Sequence, residues 1–280
     1  MDVLVTGANG KVGTAIIEHL HDVDRYEFTY LDLEDDNIPE DAATVNVDIR
    51  DYDALRPHFD GMDAVVHLAL MPGTGGRHSR ELGWLEPVKD NLKGHNNVYK
   101  AAVEADLDSI IFASSHHAVG MVEVRNRPEI YHDTSYRIDE TEPHRPDSPY
   151  GLTKTYGEDL GRLANEAHGI RFYALRIGAV LAPEYDHPYG YAEMGVDDGE
   201  WERGSDEYEE RVARLKAVWQ SRRDLAHMVD CCLQDETVEW DQFYGVSNND
   251  TRWLDDLDHA HEMIGYEPQD NGAEWDSPPE

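Results

Sequence analysis

Short apolar segments alternate with longer segments of helical periodicity through the first 180 residues of the chain. Several of the apolar segments are rich in Val and Ile and nearly free of polar residues, which predicts strands buried on both faces. The predicted strands are Val3–Thr6, Phe28–Leu31, Thr44–Val47, Ala64–Leu68, Ile110–Ala113 and Phe172–Ile177. The predicted helices are Val12–Leu20, Tyr52–Phe59, Glu86–Ala105 and Tyr150–Ala167. This alternation indicates an α/β protein built on a doubly wound parallel sheet.

The pattern changes after Gly178. Residues 182–205 mix prolines, glycines, aromatic residues and acids without a clear period, so we expect loops and short segments over the ends of the strands. Helical periodicity returns further along, and one more apolar segment predicts a strand. These later elements are the helices Glu207–Trp219, Asp224–Leu233 and Leu254–Ile264 and the strand Phe243–Val246.

Acidic residues dominate the composition, with 59 Asp and Glu against 24 Lys and Arg and a formal net charge of −35. Such a surface repels nucleic-acid phosphates and anionic lipids, so no nucleic-acid or membrane partner is expected. The acids are spread along the whole chain, which favours adaptation to molar salt, where charges are strongly screened. Neither a targeting segment nor a membrane-spanning run is visible, and we expect a cytoplasmic protein.

The two cysteines, Cys231 and Cys232, are adjacent in the sequence. Adjacent cysteines suit neither a structural disulfide nor a metal site, so we expect them to pack on a helix. No other group of residues has metal-ligand spacing, and no metal is predicted.

Three glycines at spacing three follow directly after the first strand: Gly7, Gly10 and Gly13. They allow a tight turn, a close approach of the backbone to a pyrophosphate, and a helix whose N-terminus faces the phosphates. The pattern predicts the dinucleotide-binding turn of a Rossmann fold, with Lys11 and Val12 in the first turn of the helix among the cofactor contacts.

Asp32 ends the second strand, 19 residues after Gly13, where a carboxylate can bind both hydroxyls of an adenosine ribose. Further acids follow it and no arginine is adjacent, so NAD is predicted as the cofactor, with NADP as the alternative. The remaining candidate cofactor contacts are at the ends of later strands and on the helix that starts near residue 86. They are Asp48, Ile49, Leu68, Ala69, Asn91 and Ile177.

Tyr150 and Lys154 are one helical turn apart, and Ser114 and Ser115 close an earlier strand. An i, i+4 pair is also an ordinary surface contact, but this one follows a glycine turn and a serine strand. Our hypothesis is that the charge of Lys154, together with the charge of the nicotinamide, lowers the pKa of Tyr150 from about 10. Tyr150 then accepts a hydroxyl proton while Ser115 holds the reacting oxygen, and Lys154 also binds the nicotinamide ribose. The residues predict a nicotinamide-dependent oxidoreductase.

Two regions are therefore expected. Residues 1–178 form the dinucleotide-binding Rossmann domain that carries the catalytic residues. Residues 179–280 form a smaller substrate-binding region packed on the same domain.

Six motifs together resemble the extended short-chain dehydrogenase/reductase superfamily, and more narrowly uronate dehydrogenases and the related haloarchaeal aldose and glucose-6-phosphate dehydrogenases. They are Thr6–Gly13, Phe112–Gly120, Tyr150–Lys154, Leu175–Gly178, Tyr244–Asp250 and Gly265–Asn271. The resemblance covers nearly the whole chain. It implies oxidation of a sugar at C1 to a lactone, with Ser115, Tyr150 and Lys154 in the catalytic positions.

The resemblance also implies the substrate contacts, which are Ser115, His116, His117, Tyr150 and Arg214. The family usually has Ser-Ser-Asn-His where this chain has Ser-Ser-His-His, so imidazole replaces a substrate-facing amide. Arg214 aligns with the arginine that grips the substrate carboxylate in uronate dehydrogenases, and related enzymes for phosphorylated or neutral sugars keep an arginine there. Because the acidic protein discourages anions, a neutral pentose or hexose is slightly favoured over a uronate or a sugar phosphate. Arg77, His78 and Arg80 are further candidates to cover the sugar.

Two other functions remain open. A sugar-nucleotide epimerase or dehydratase with tightly bound NAD would share the fold and the Tyr–Lys pair. A non-catalytic NAD sensor is disfavoured by the intact Ser–Tyr–Lys set. By resemblance, residues 182–211 are an added segment, and the helices Glu86–Ala105 and Tyr150–Ala167 pair across a dimer, which implies a homo-oligomer.

Overall fold

The computed structural model describes residues 1–71 and 86–279. Its described part contains a parallel sheet with the strand order β3-β2-β1-β4-β5-β6-β7. The order reverses between β1 and β4, and the carboxyl ends of strands on either side of such a point form a ligand crevice in doubly wound folds. The strands are β1 (Asp2–Thr6), β2 (Glu27–Asp32), β3 (Ala43–Asn46), β4 (Ala64–His67), β5 (Ser109–Ser115), β6 (Arg171–Ile177) and β7 (Trp240–Gly245).

Helices connect these strands and cover both faces of the sheet. They are α1 (Lys11–Leu20), α2 (Tyr52–Leu55), α3 (Glu86–Glu104), α4 (Met121–Asn126), α5 (Pro149–His168), α6 (Gly190–Asp197), α7 (Asp206–Val218), α8 (Arg222–Gln234) and α9 (Leu257–Ile264). None of the helices in the described ranges is long and apolar enough to cross a bilayer.

Successive residues of the strands enter two different cores. Val3 and Val5 join the core that contains α1 and α8, whereas Leu4 between them joins the core on the opposite face, with α3. Both sets are apolar because both faces are covered, which explains the continuous hydrophobic strands. The predicted doubly wound α/β fold is confirmed.

A third core forms beyond the ends of β5 and β6. It combines residues after Ser115 with residues of the C-terminal region, including Val122, Leu215, Trp219 and Trp253. In the same region β7 pairs with β6 in the main sheet. The division of roles between residues 1–178 and 179–280 stays a prediction.

The predicted elements are present with shifted ends. The predicted helix Tyr52–Phe59 is divided, because α2 ends at Leu55 and a 3₁₀ turn follows over Arg56–Phe59, which contains Pro57. The helix predicted from Leu254 begins at Leu257, since Leu254 instead forms a β-bridge with Ile138.

Two helices were not predicted. The short helix α4 follows β5, and α6 lies in the segment expected to form loops and short pieces. In α6 the glycines hide the helical pattern, and Gly195 is needed because a Cβ there would lie 1.9 Å from the Trp201 ring. Cys231 and Cys232 are buried on α8, in agreement with the packing role predicted for them.

Candidate active site

The first turn of α5 packs directly against the loop that follows β5. Ser148 caps the helix, its Oγ accepting a hydrogen bond from the Gly151 amide at 3.1 Å. A Cβ on Gly151 would lie 2.4 Å from the carbonyl oxygen of His117, so only glycine permits this approach. The packing brings Tyr150 next to Ser115, close enough for the Ser115 hydroxyl to act on the pKa of Tyr150.

Lys154 is buried beneath this pair. Its Nζ donates to the carbonyl oxygen of Ala113 at 2.6 Å and lies 5.4 Å from the centroid of the Tyr150 ring. Burial lowers the pKa of Lys154 to about 7, against the opposing effect of the Glu158 charge. The structure therefore brings together Ser115, Tyr150 and Lys154, the three predicted catalytic residues.

The protein residues alone do not lower the pKa of Tyr150. Burial raises the pKa of Tyr150 to about 12, and the nearby Ser115 hydroxyl only partly offsets this effect. Desolvation disfavours both the phenolate and the ammonium, so it weakens the charge of the lysine that was expected to stabilise the phenolate. A Tyr150 phenolate at neutral pH requires a positive charge in addition to Lys154.

His117 lies beside Tyr150, with 5.5 Å between the ring centroids in an edge-to-face arrangement. Its Nδ1 is 2.8 Å from Oδ2 of Asp147, and its amide donates to Ser115 Oγ at 3.3 Å. The carboxylate fixes the orientation of the imidazole. The sequence analysis missed Asp147, although it comes three residues before Tyr150.

His116 is 3% exposed and contacts His117, with 4.2 Å between their ring centroids. Its Nδ1 lies 3.2 Å from the carbonyl oxygen of Ile177 and 3.1 Å from that of Gly178. Because carbonyl oxygens only accept, Nδ1 carries the hydrogen and Nε2 is an acceptor. Burial lowers the pKa of His116 to about 3, so the ring is neutral.

Arg214, a predicted substrate contact, is paired with a carboxylate of the protein. Its Nε donates to Oε1 of Glu123 at 2.5 Å and its Nη2 to Oε2 at 3.3 Å. Tyr131 donates to the same Oε1 at 2.6 Å. Burial acts to raise the pKa of Glu123, but the Arg214 charge and these hydrogen bonds outweigh it and lower the pKa to about 2.

The sequence analysis missed Glu123. The sequence does contain a signal for it: Glu123 is the only charged residue in the apolar segment 118–124, which indicates a buried carboxylate that needs a partner. Tyr191 was missed as well; its ring centroid lies 6.0 Å from the Arg214 guanidinium carbon.

The glycine turn after β1 has the close contacts expected of a phosphate-binding turn. Gly7 has φ +76°, and a Cβ there would lie 2.5 Å from the amide nitrogen of Ala69. At Gly13 a Cβ would lie 2.3 Å from the carbonyl oxygen of Ala8. Gly10 is exposed and precedes α1, and it gives the N-terminus of that helix no side-chain cap. This turn fits a dinucleotide pyrophosphate.

Asp32 lies at the end of β2 next to this turn. Its two oxygens accept hydrogen bonds from the amides of Asn9 at 2.9 Å and Leu33 at 2.7 Å. A carboxylate has about four acceptor positions, so two remain for ribose hydroxyls. The position fits the predicted adenosine ribose contact.

Asp48 and Ile49 are held by protein contacts. The carboxylate of Asp48 accepts from Nη2 of Arg50 at 2.6 Å, and the hydrogen bonds with Arg50 lower its pKa despite partial burial. Ile49 is buried, and its carbonyl accepts from Asn97 at 2.9 Å. Their contact with an adenine stays a prediction, and Asn97 is a positioning residue that the sequence analysis missed.

The other predicted cofactor residues lie at strand ends or on α1 and α3. Leu68 and Ala69 follow β4 next to Gly7, and Ile177 ends β6. Asn91 is buried on α3, and its Oδ1 accepts from the Met71 amide at 2.8 Å. Asn91 therefore supports the end of β4.

Lys11 and Val12 form the first turn of α1. Arg77, His78 and Arg80 lie outside the described residues.

The sequence of residues 3–232 matches the NAD dependent epimerase/dehydratase family, and the chain belongs to it. A similar protein is the NAD-dependent glucose-6-phosphate dehydrogenase of Haloferax volcanii, 35% identical, with 98% of this chain and 95% of that protein covered. The L-arabinose 1-dehydrogenase (NAD(P)(+)) of the same organism is 34% identical, with 97% of each chain covered.

Solved structures agree in fold. Glucuronic acid dehydrogenase from Chromohalobacter salexigens superposes with a TM-score of 0.73 at 28% identity, over 98% of this chain and 86% of that one. Uronate dehydrogenase from Agrobacterium tumefaciens gives 0.71 at 25% identity, over 100% and 91%. The comparisons confirm the predicted superfamily, NAD as the cofactor and the class of NAD-dependent oxidoreductase. The haloarchaeal relatives also fit the predicted adaptation to salt.

Proposed function

We propose that this protein oxidises an aldose at C1 to a lactone, with NAD as the hydride acceptor and Ser115, Tyr150 and Lys154 as the catalytic residues. The observation that carries the proposal is the arrangement of these three side chains at the carboxyl end of β5. The adjacent hydroxyls of Ser115 and Tyr150 define where a substrate hydroxyl oxygen would be held. The named activities of the full-length relatives support a sugar as the substrate.

Each of the three residues has a separate task. Ser115 positions the reacting hydroxyl, and Tyr150 accepts its proton as the C1–H bond breaks. Lys154 stabilises the phenolate when protonated, and its pKa of about 7 makes that protonation sensitive to nearby charge. When bound, NAD⁺ would supply the hydride acceptor and a positive charge. This is the additional charge that the raised pKa of Tyr150 calls for.

The proposed cofactor contacts are those predicted from the sequence, and they surround one crevice. They are Gly7, Gly10, Lys11, Val12, Gly13, Asp32, Asp48, Ile49, Leu68, Ala69, Asn91, Tyr150, Lys154 and Ile177. The proposed substrate contacts are Ser115, His116, His117, Tyr150 and Arg214.

The test is an absorbance screen for NADH formation in molar KCl with pentoses, hexoses, uronates and hexose phosphates. Tyr150→Phe should reduce kcat at least about 100-fold, the lower range for loss of a general base, with little change in the Kd for NAD. Tyr156→Phe is the matched control, because it removes a hydroxyl from the same helix outside the site. Substantial turnover by Tyr150→Phe at neutral pH would refute the proposed role.

A second candidate function has support from the family match, whose description includes epimerases and dehydratases. Those reactions return the hydride to the sugar, so NADH does not accumulate. Release of free NADH with a simple sugar supports the dehydrogenase. Conversion of a nucleotide sugar without NADH release would favour the epimerase.

A further inference from the structure

The Glu123–Arg214 pair at the substrate end of the site bears on which sugars the enzyme accepts. Arg214 has its Nε and Nη2 directed at the two carboxylate oxygens of Glu123. This is the fork of donors that would bind a carboxylate side-on with two parallel hydrogen bonds. A uronate carboxylate therefore has to compete with a carboxylate that the protein itself supplies.

The pair is close to the catalytic residues. His116 follows Ser115 directly, and its Nε2 lies 3.7 Å from Oε2 of Glu123. His116 contacts His117, which contacts the ring of Tyr150. Tyr150 and Glu123 are therefore linked by a continuous series of contacts through the two histidines.

The charges in this cluster cancel. Arg214 contributes one positive charge and Glu123 one negative charge, and both side chains are largely buried, at 19% and 6% exposure. His116 adds no charge, because its Nδ1 donates to two carbonyl oxygens and its ring is neutral. A bound anion would meet a neutral cluster with a carboxylate within it, and burying that anion would be costly.

The hydrogen-bonding groups suit a hydroxyl instead. Nε2 of His116 is a buried acceptor that has no hydrogen-bond partner among the described residues, and it faces a second acceptor, Oε2 of Glu123. Two acceptors 3.7 Å apart require a donor between or beside them, which a sugar hydroxyl or a water can supply and a carboxylate or phosphate dianion cannot.

We propose that Glu123 is a specificity-determining residue, which occupies Arg214 and restricts the site to neutral aldoses. The inference rests on the proposed sugar oxidation and specifies its substrate class. A neutral pentose or hexose can donate a hydroxyl to His116 and Glu123 and accept from Arg214. An anionic sugar would have to displace Glu123 from Arg214.

The experiment compares kcat/KM for L-arabinose, D-glucose, D-glucuronate and D-glucose 6-phosphate in wild type and Glu123→Gln. Gln preserves the size of the side chain and removes its charge. The wild type should prefer the neutral sugars. Glu123→Gln should shift the anionic-to-neutral ratio by roughly 10- to 100-fold towards the anions, the range that one charge-assisted hydrogen bond supplies.

Glu193 provides a matched control. It is paired with Arg203 at 3.0 Å and accepts from the Tyr208 hydroxyl at 2.6 Å, which repeats the Arg–Glu–Tyr arrangement of Glu123. Its side chain is 9% exposed. Glu193→Gln should leave the ratio unchanged, and an equal shift in both variants would attribute the effect to net charge and overturn the proposal.

Direct binding separates this inference from the proposed function. Calorimetric titration with D-glucuronate should show tighter binding by Glu123→Gln than by wild type, whether or not NADH is formed. If no sugar gives NADH, the proposed function fails and the titration still decides the role of Glu123. Wild-type preference for an anionic sugar, or no gain in glucuronate binding, overturns the role of Glu123. Should Glu123→Gln fail to fold, the wild-type preference decides alone.

Discussion

The two edges of the crevice are built in different ways. At the edge proposed for the cofactor, the candidate contacts are backbone atoms and residues close together in sequence: Gly7, Gly10 and Gly13 shape the turn, and Asp32 adds one carboxylate. At the edge proposed for the substrate, the candidate contacts are side chains brought together by the fold. Glu123 and Arg214 are 91 residues apart, and His117 and Asp147 are 30 apart.

The difference indicates how one fold can keep its cofactor and change its sugar. A backbone turn tolerates few substitutions, because the limits are steric and fixed by the chain itself. A side-chain pair can be changed by one substitution without moving the backbone. The relatives fit this division, since their names share a dehydrogenase activity and differ in the sugar: glucose 6-phosphate, L-arabinose and uronate.

The largest effect is expected at the cofactor edge, from Gly7→Ala. The new Cβ would lie 2.5 Å, 2.7 Å and 2.8 Å from backbone atoms of Ala69 and Leu68, and φ is +76°. Left-handed backbone and overpacking together should cost about 2–5 kcal/mol of unfolding free energy. NAD binding should be lost as well, because the turn cannot keep its shape. Denaturant unfolding in molar KCl and NAD titration measure both effects.

Gly169→Ala separates the two causes. Gly169 ends α5 with the same φ of +76°, but a Cβ there would meet nothing within 4 Å. Only the conformational cost remains, about 1–2 kcal/mol, and NAD binding should be unchanged. Equal losses in the two variants would show that the close contact with β4 is unimportant.

An intermediate effect is expected at the substrate edge, from Glu123→Ala. Removing one partner of a buried ion pair costs about 3–5 kcal/mol, and the partial exposure of Arg214 puts this case at the lower end. The double variant Glu123→Ala/Arg214→Ala should lose less than the sum of the single variants, because no charge is then left without a partner. Additive losses would mean that the pair is not coupled.

The same pair predicts a pH dependence. Since the pKa of Glu123 is lowered to about 2 in the folded protein, its contribution is complete above about 4.5, the usual pKa of a glutamate. The contribution is lost as the pH falls from there towards 2. The stability difference between wild type and Glu123→Ala should shrink over that window.

The features that could be predicted from the sequence are those that depend on residues close together in the chain. The strands and the glycine turn were predicted because hydrophobic period and glycine spacing are local signals. Ser115, Tyr150 and Lys154 were found because they occur in short motifs at strand and helix ends. The partner of Arg214 could not be predicted, since an ion pair depends on which helices meet in space. The effect of burial on the pKa of Tyr150 could not be predicted either, because burial of the ring depends on the same long-range packing.

The smallest effect is expected from Asp32→Asn, which tests whether a single carboxylate sets the preference for NAD. Asn preserves one acceptor oxygen, whereas Ala would leave the amides of both Asn9 and Leu33 without their partners. Loss of the charge should weaken NAD binding and improve NADP binding, so that the ratio of their Kd values shifts roughly tenfold, or about 1.4 kcal/mol.

The control is Asp35→Asn, which removes the same charge from an exposed neighbour. In molar KCl the screening length is about 3 Å, so only a carboxylate in direct contact with the ribose can discriminate against a 2′-phosphate. Asp35→Asn should therefore leave the ratio unchanged in fluorescence titrations with both cofactors. If both variants shift the ratio of the two Kd values equally, the preference for NAD is caused by the combined charge of the acidic residues in this region and not by Asp32 alone. If neither does, the cofactor edge too depends on contacts beyond its local sequence, and its contrast with the substrate edge is weaker than the structure indicates.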